Sequence, residues 1–96
     1  MKILGIDPAL SSLGWGIIKL TPPKINYIAS GLVKTAPTEL MYKRLSHIAN
    51  AIQNIIELYD PDLIAMEETF INMNASSSLK LGYVRGALMS LIGKFD

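Results

Sequence analysis

Apolar residues fall along this chain in two different periods. Ile3-Leu4-Gly5-Ile6 is an unbroken apolar run that stops at Asp7-Pro8, and residues 63–66 form a second run, opened by Pro61-Asp62 and stopped by Glu67-Glu68. Short apolar runs bounded by turn-forming or charged residues read as buried strands. Residues 13–20 and 25–33 carry the Ile, Val, Trp and Tyr content of two more strands. Thr21-Pro22-Pro23-Lys24 must connect them, because each proline removes a ladder donor. Three strands joined by short links predict an antiparallel meander. Gly14 and Gly16 weaken the second strand and mark places where backbone or ligand comes close.

Elsewhere the period lengthens. Met41, Leu45, Ile48, Ile52, Ile55 and Tyr59 recur at three- and four-residue spacing, which predicts a helix with one apolar face on the sheet. Pro37-Thr38 is expected to open it, with Thr38 as N-cap and Glu39 in the first turn. Asp60 should end it, since a residue before proline is pushed out of helical geometry. Residues 63–66 then read as a strand buried on both faces and therefore internal. A second helix is expected to start at the serines of positions 76–78, which are its N-cap candidates, and to end at Ile92 with Gly93 beyond it. Within it Ser78, Gly82, Gly86 and Ser90 form a stripe of small residues. Each internal glycine costs about 1 kcal/mol relative to alanine, so the stripe implies a close neighbour. The sheet is the expected neighbour, and a partner helix the alternative.

The order of elements fixes direction. Strands one, two and three run up, down and up, the helix returns, and strand four runs up again, parallel to strand one. If the two are neighbours, with the alternative being strand four beside strand three, Asp7 and Glu67 end side by side. Strands lie roughly 4.8 Å apart, and two carboxylates so close repel unless a proton or divalent cation sits between them. Asp7 and Glu67 are thus the candidate metal-holding pair. Glu68 points to the other side, because strand side chains alternate, and reads as a solvated neighbour.

Composition narrows the options. With 96 residues, half of them hydrophobic, the chain makes one domain with a small core. It has no cysteine, which excludes disulfides, thiolate metal ligands and a thiol nucleophile. A net charge of +1 gives no overall basic signature for nucleic acid. The distribution says more: Lys80, Arg85 and Lys94 are the only charges between Thr69 and Phe95, whereas acids dominate from Glu57 to Glu68. A basic arm after an acidic site suits a polyanion held near a metal, although three such charges are also ordinary surface. No leader pattern and no membrane-length apolar run are present, so the chain reads as cytoplasmic, with no membrane contact. His47 has no partner carboxylate at ligand spacing and reads as a surface residue. Trp15, Tyr27 and the methionines read as core.

Several motifs together resemble one family. Gly5-Ile6-Asp7-Pro8, Gly14-Trp15-Gly16, Ala65-Met66-Glu67 with Phe70 and Asn74, and Ser78-Leu79-Lys80-Leu81-Gly82 through Arg85-Gly86 closely resemble the RuvC family of Holliday-junction resolvases. The resemblance covers essentially the whole chain. Its opening Gly-Ile-Asp is shared with sugar kinases and actin-like ATPases; Leu-Lys-Leu-Gly joined to Arg-Gly is the more specific part.

The resemblance implies an α/β, ribonuclease H-like fold: the antiparallel meander plus a parallel strand, with flanking helices, as a single domain over residues 1–96. It implies a homodimeric, magnesium-dependent endonuclease, with manganese as a substitute ion. Such an enzyme nicks two strands of like polarity at a four-way DNA junction in recombination and repair, alongside branch-migration motor proteins. Asp7 and Glu67 match catalytic, metal-binding carboxylates, and Phe70 matches an aromatic near the junction strands. Asn74, Lys80 and Arg85 are the other candidate DNA contacts. Three departures stand out. Ala9 and Leu13 occupy positions where the family commonly has glycine and threonine, and the family's fifth strand, last helix and two further metal-binding aspartates lie beyond Asp96. A chain truncated in this way is expected not to cleave DNA by itself. The alternatives are another ribonuclease H-like nuclease, such as one that trims ribosomal RNA precursors, or a non-catalytic dimerising or DNA-binding fragment.

Overall fold

Asp62 sets the architecture. Its carboxylate accepts the Lys2 amide at 2.8 Å and its own amide donates to the Lys2 carbonyl at 2.8 Å, which clamps the start of one strand to the start of another. In this computed structural model, which describes residues 1–68 and 75–95, the clamped strands are β1 (Lys2–Asp7) and β4 (Leu63–Met66). From the clamp onward they pair in parallel without a shift, Ile3 with Leu63 through to Ile6 with Met66. On its other side β1 pairs antiparallel with β2 (Ser12–Thr21), which pairs antiparallel with β3 (Lys24–Lys34). The sheet order is β3-β2-β1-β4. Strand four therefore lies beside strand one, and the meander is as expected.

The position of β4 corrects one expectation. Among the described residues it is the edge strand, and Leu63 is 49% exposed, so within this sheet it is neither internal nor buried on both faces. An unbroken apolar run could not reveal this, because its alternate residues meet different surroundings. Ile64 and Met66 pack on the core, while Leu63 and Ala65 face outward. Beside β4 lies an apolar groove of about 570 Å³ lined by residues that include Ile64, Met66, Met89, Ile92 and Phe95.

One face of the sheet carries the core. Leu4, Ile6, Leu13, Ile17 and Val33 form a single cluster with Ile48, Ile52 and Ile56 of α1 (Met41–Tyr59) and with Val84, Leu88 and Leu91 of α2 (Ala75–Ile92). Trp15 packs on the edge of this cluster, its ring tilted 43° to that of Tyr59 with centroids 6.1 Å apart. It lies over Gly31, where a Cβ would meet the indole at 3.0 Å. Tyr27, by contrast, is 71% exposed, and Met1 and Met89 are also exposed, so these three are not core. Tyr27 sits on β3, the edge strand away from β4, and is paired on one side only, with Ile18 of β2.

The helix starts also differ from expectation. Residue Leu40, not Thr38, occupies the N-cap of α1 with no side-chain hydrogen bond, and no acid lies in the first turn. Residues 37–39 form a turn instead, with the Glu39 amide donating to the Ala36 carbonyl at 3.0 Å. Helix α1 ends as expected: Asp60 adopts a left-handed conformation and donates to the Ile56 carbonyl at 2.8 Å. The serines at 76–78 are already helical, because α2 begins at Ala75, so they are not its N-cap. The small-residue stripe does not face the sheet. Gly82 and Gly86 are not buried against it, and among the described residues a Cβ on either would meet nothing within 4 Å. The buried face of α2 is built by Val84, Leu88 and Leu91 instead.

Candidate active site

Strand pairing delivers the two carboxylates to one place. Ile3 pairs with Leu63, and Asp7 and Glu67 each lie four residues further along an unshifted ladder, so the strand ends are level. The ladder reaches Glu67 itself, whose amide donates to the Ile6 carbonyl at 3.0 Å. Residues paired in register share a face. Ile6 and Met66 belong to the core face, which puts Asp7 and Glu67 together on the opposite face, where Asp7 and Glu67 are both exposed.

That face is paved with small residues beside the pair. Asp7 is opposite Gly14, and Gly5 is flanked by Gly16 on one side and Ala65 on the other. A Cβ on Gly14 would lie 3.8 Å from the Asp7 Cβ. Gly14 and Gly16 are the glycines the sequence marks as places of close approach, and with Gly5 they leave the carboxylates accessible from above. Leu32 and Leu63 on the same face are exposed as well.

The donor chemistry suits a hard cation. Carboxylate oxygens are the ligands that magnesium takes, with water filling its other octahedral positions. Two such groups provide part of a coordination sphere, and among the described residues no group of three or more His, Cys, Asp or Glu side chains is arranged to hold a metal. Asp7 and Glu67 thus fit a weakly held single ion, with room on the open face for further ligands.

The other candidates are placed as follows. Lys80 is exposed on the first turns of α2, and His47 is exposed as expected. Phe70 and Asn74 lie outside the described residues. Arg85 has protein partners: its Nη1 donates to the Glu67 carbonyl at 2.6 Å and its Nη2 lies 3.7 Å from Glu68 Oε1. Glu68 is accordingly exposed but paired, and not simply solvated.

Sequence reasoning misses one residue. Arg44, only 6% exposed, donates from Nε to Thr35 Oγ1 at 2.9 Å and from Nη2 to Ser11 Oγ at 3.0 Å. Thr35 Oγ1 in turn donates to the Leu10 carbonyl at 2.6 Å, and the Thr35 amide donates to the Ser11 carbonyl at 3.1 Å. These bonds fasten the loop that follows Asp7. A signal is available, since Arg44 precedes Ile48, Ile52 and Ile56 at a strict four-residue spacing and so belongs to the buried stripe.

A mixed sheet of this order with two helices on one face, ending in level carboxylates, is a ribonuclease H-like fold with its strand-end acids in place. Comparison with known proteins makes the assignment narrower. The family model described as crossover junction endodeoxyribonuclease RuvC matches residues 3–94. A crossover junction endodeoxyribonuclease RuvC of Rickettsia bellii (strain RML369-C) is 50% identical over 96 residues, which is all of this chain and 61% of the relative. That of Rickettsia felis (strain ATCC VR-1525 / URRWXCal2) is 48% identical over 96 residues, all of this chain and 62% of the relative. The structure of T. thermophilus RuvC in complex with Holliday junction substrate superposes with a TM-score of 0.89 at 26% identity, covering 98% of this chain and 59% of that one. The chain belongs to the RuvC family. It spans about three-fifths of the length of these relatives, 61% and 62% of the two Rickettsia proteins.

Proposed function

We propose that residues 1–96 are a single ribonuclease H-like domain that supplies part of the active site of a structure-specific endonuclease. Its substrate is the four-way DNA junction, and its role is in recombination and repair. The observation that carries this reading is the level, same-face placement of Asp7 and Glu67 at the ends of adjacent parallel strands. The match with a relative solved on a Holliday junction substrate supports the choice of DNA structure.

In this reading Asp7 and Glu67 hold magnesium, or manganese in its place. When bound, such ions activate the attacking water and stabilise the leaving oxygen of an in-line phosphodiester displacement. The chain's own part is placement. The β1–β4 ladder holds the two carboxylates level, and Gly5, Gly14, Gly16 and Ala65 leave the face beside them open to a DNA strand. Lys80 contributes a phosphate contact, and Phe70 and Asn74 act on the junction strands. The protein works as a homodimer in the cytoplasm, with branch-migration motors as partners. No helix among the described residues is long and apolar enough to cross a membrane. A two-metal arrangement needs more anionic ligands than this pair, so residues 1–96 alone bind an ion without cutting.

The test is a labelled four-way junction incubated with magnesium and a whole family member carrying this sequence. Asp7→Asn should abolish nicking and leave junction binding within a few-fold, because it removes charge from the metal site and little surface. Joint loss of nicking and binding would indicate a folding role. Nicking by residues 1–96 alone, lost in Asp7→Asn, would show that two carboxylates suffice.

A further inference from the structure

Arg85 lies in α2, far from β4 in sequence, and yet its guanidinium is engaged at the end of that strand. One nitrogen donates to the Glu67 carbonyl at 2.6 Å and the other approaches the Glu68 carboxylate at 3.7 Å, with the arginine side chain 20% exposed. In the parallel ladder the Glu67 carbonyl would next accept from the amide of the residue after Asp7, which is Pro8 and has no N–H to give. Arg85 fills that role. The Glu67 residue is consequently held from both sides, its amide on Ile6 and its carbonyl on Arg85.

The second contact has a directional effect. Successive side chains along an extended segment point to opposite faces. Drawing Glu68 toward α2, on the core side of the sheet, turns Glu67 to the open side, where Asp7 stands. A guanidinium suits this task because its planar fork presents two donors in a fixed relation, whereas an ammonium is a single point charge.

We propose that Arg85 is a positioning residue: it ties α2 to the Glu67-Glu68 peptide and so fixes the direction of the Glu67 carboxylate. This rests on the reading of Asp7 and Glu67 as the metal-holding pair. It also removes Arg85 from the candidate DNA contacts, since its donors face protein acceptors.

The experiment compares the wild-type chain with Arg85→Gln, Arg85→Lys and, as a control on the pair itself, Asp7→Asn. Amide hydrogen exchange at Glu67 and Glu68 is measured without metal, and manganese affinity by paramagnetic broadening. Circular dichroism reports the fold. Arg85→Gln should speed exchange at Glu67 and weaken manganese binding by about tenfold, the lower end of what losing an outer partner of a metal ligand does. Exchange in β2 and β3 should not change. Arg85→Lys should recover part of both effects, because it restores a donor to the carbonyl without the fork. Should Arg85→Gln fail to fold, Arg85→Lys and Glu68→Gln give the same two readouts with smaller shifts of the same sign. Unchanged exchange and unchanged manganese affinity would overturn the proposal, as would a loss confined to four-way junction affinity. If manganese binding ignores Asp7→Asn, the metal-pair reading fails instead, and exchange at Glu67 alone decides whether Arg85 holds that peptide.

Discussion

Gly14 stands directly opposite Asp7 in the β1–β2 ladder, and a Cβ placed on it would lie 3.8 Å from the Asp7 Cβ. That is ordinary van der Waals contact, so one methyl fits, whereas a longer branched side chain would extend beside the Asp7 carboxylate. Gly14→Ala should therefore fold and gain roughly 0.5–1 kcal/mol, the usual cost of glycine inside a strand, with manganese affinity close to wild type. Gly14→Leu should crowd the Asp7 carboxylate and reduce manganese affinity while circular dichroism stays the same. Urea denaturation and a manganese titration on both variants check this. Equal affinities for the two would mean that the glycine does not keep the site open.

Arg44 is a buried cation whose described hydrogen-bond partners are hydroxyls, Thr35 and Ser11, and no carboxylate pairs with it among the described residues. Hydrogen bonds from a charged group contribute more than neutral ones, and losing two of them costs about 3 kcal/mol. Arg44→Ala should lower stability by that order in urea denaturation. Because the same bonds fasten the loop after Asp7, amides of residues 9–11 should exchange faster than those of β3 in this variant. A uniform rise throughout would show that Arg44 supports the fold as a whole and not the loop in particular.

Gly82 and Gly86 offer a test with opposite signs for two explanations. Since a Cβ on either meets nothing within 4 Å among the described residues, a side chain there starts in open space, and it removes a helix penalty of about 1 kcal/mol. Gly86→Leu should leave Tm unchanged or raised and, in the proposed homodimer, shift sedimentation toward monomer. A lower Tm with unchanged association would mean that the stripe packs within one chain.

The meander, both helices and the direction of strand four are legible in the sequence because each rests on a local signal: apolar period, proline placement, or an acid at a strand end. The candidate site is legible for a related reason. Asp7 and Glu67 interrupt apolar runs, and a carboxylate at such a point is conspicuous in the residue pattern alone. What the pattern hides depends on neighbours that it does not specify. Whether residues 63–66 sit inside the sheet or at its edge is decided by which strands are present, and the same four apolar residues serve either place. Thr38 and the serines at 76–78 are good caps by type, but residue type alone does not say which of several neighbouring positions becomes the first helical one. Arg85 reads as a phosphate contact because its charge is visible in the sequence, whereas its partner, a backbone carbonyl far along the chain, has no sequence signature.

The central question is whether Asp7 and Glu67 jointly hold a divalent ion. Manganese titrated into the isotope-labelled chain measures this directly, because its paramagnetism broadens amides near the bound ion. The expected result is broadening centred on Asp7, Gly14 and Glu67 that disappears in Asp7→Asn. Broadening centred instead on the other acidic segment, Asp60 and Asp62, or a pattern that Asp7→Asn leaves unchanged, would contradict it.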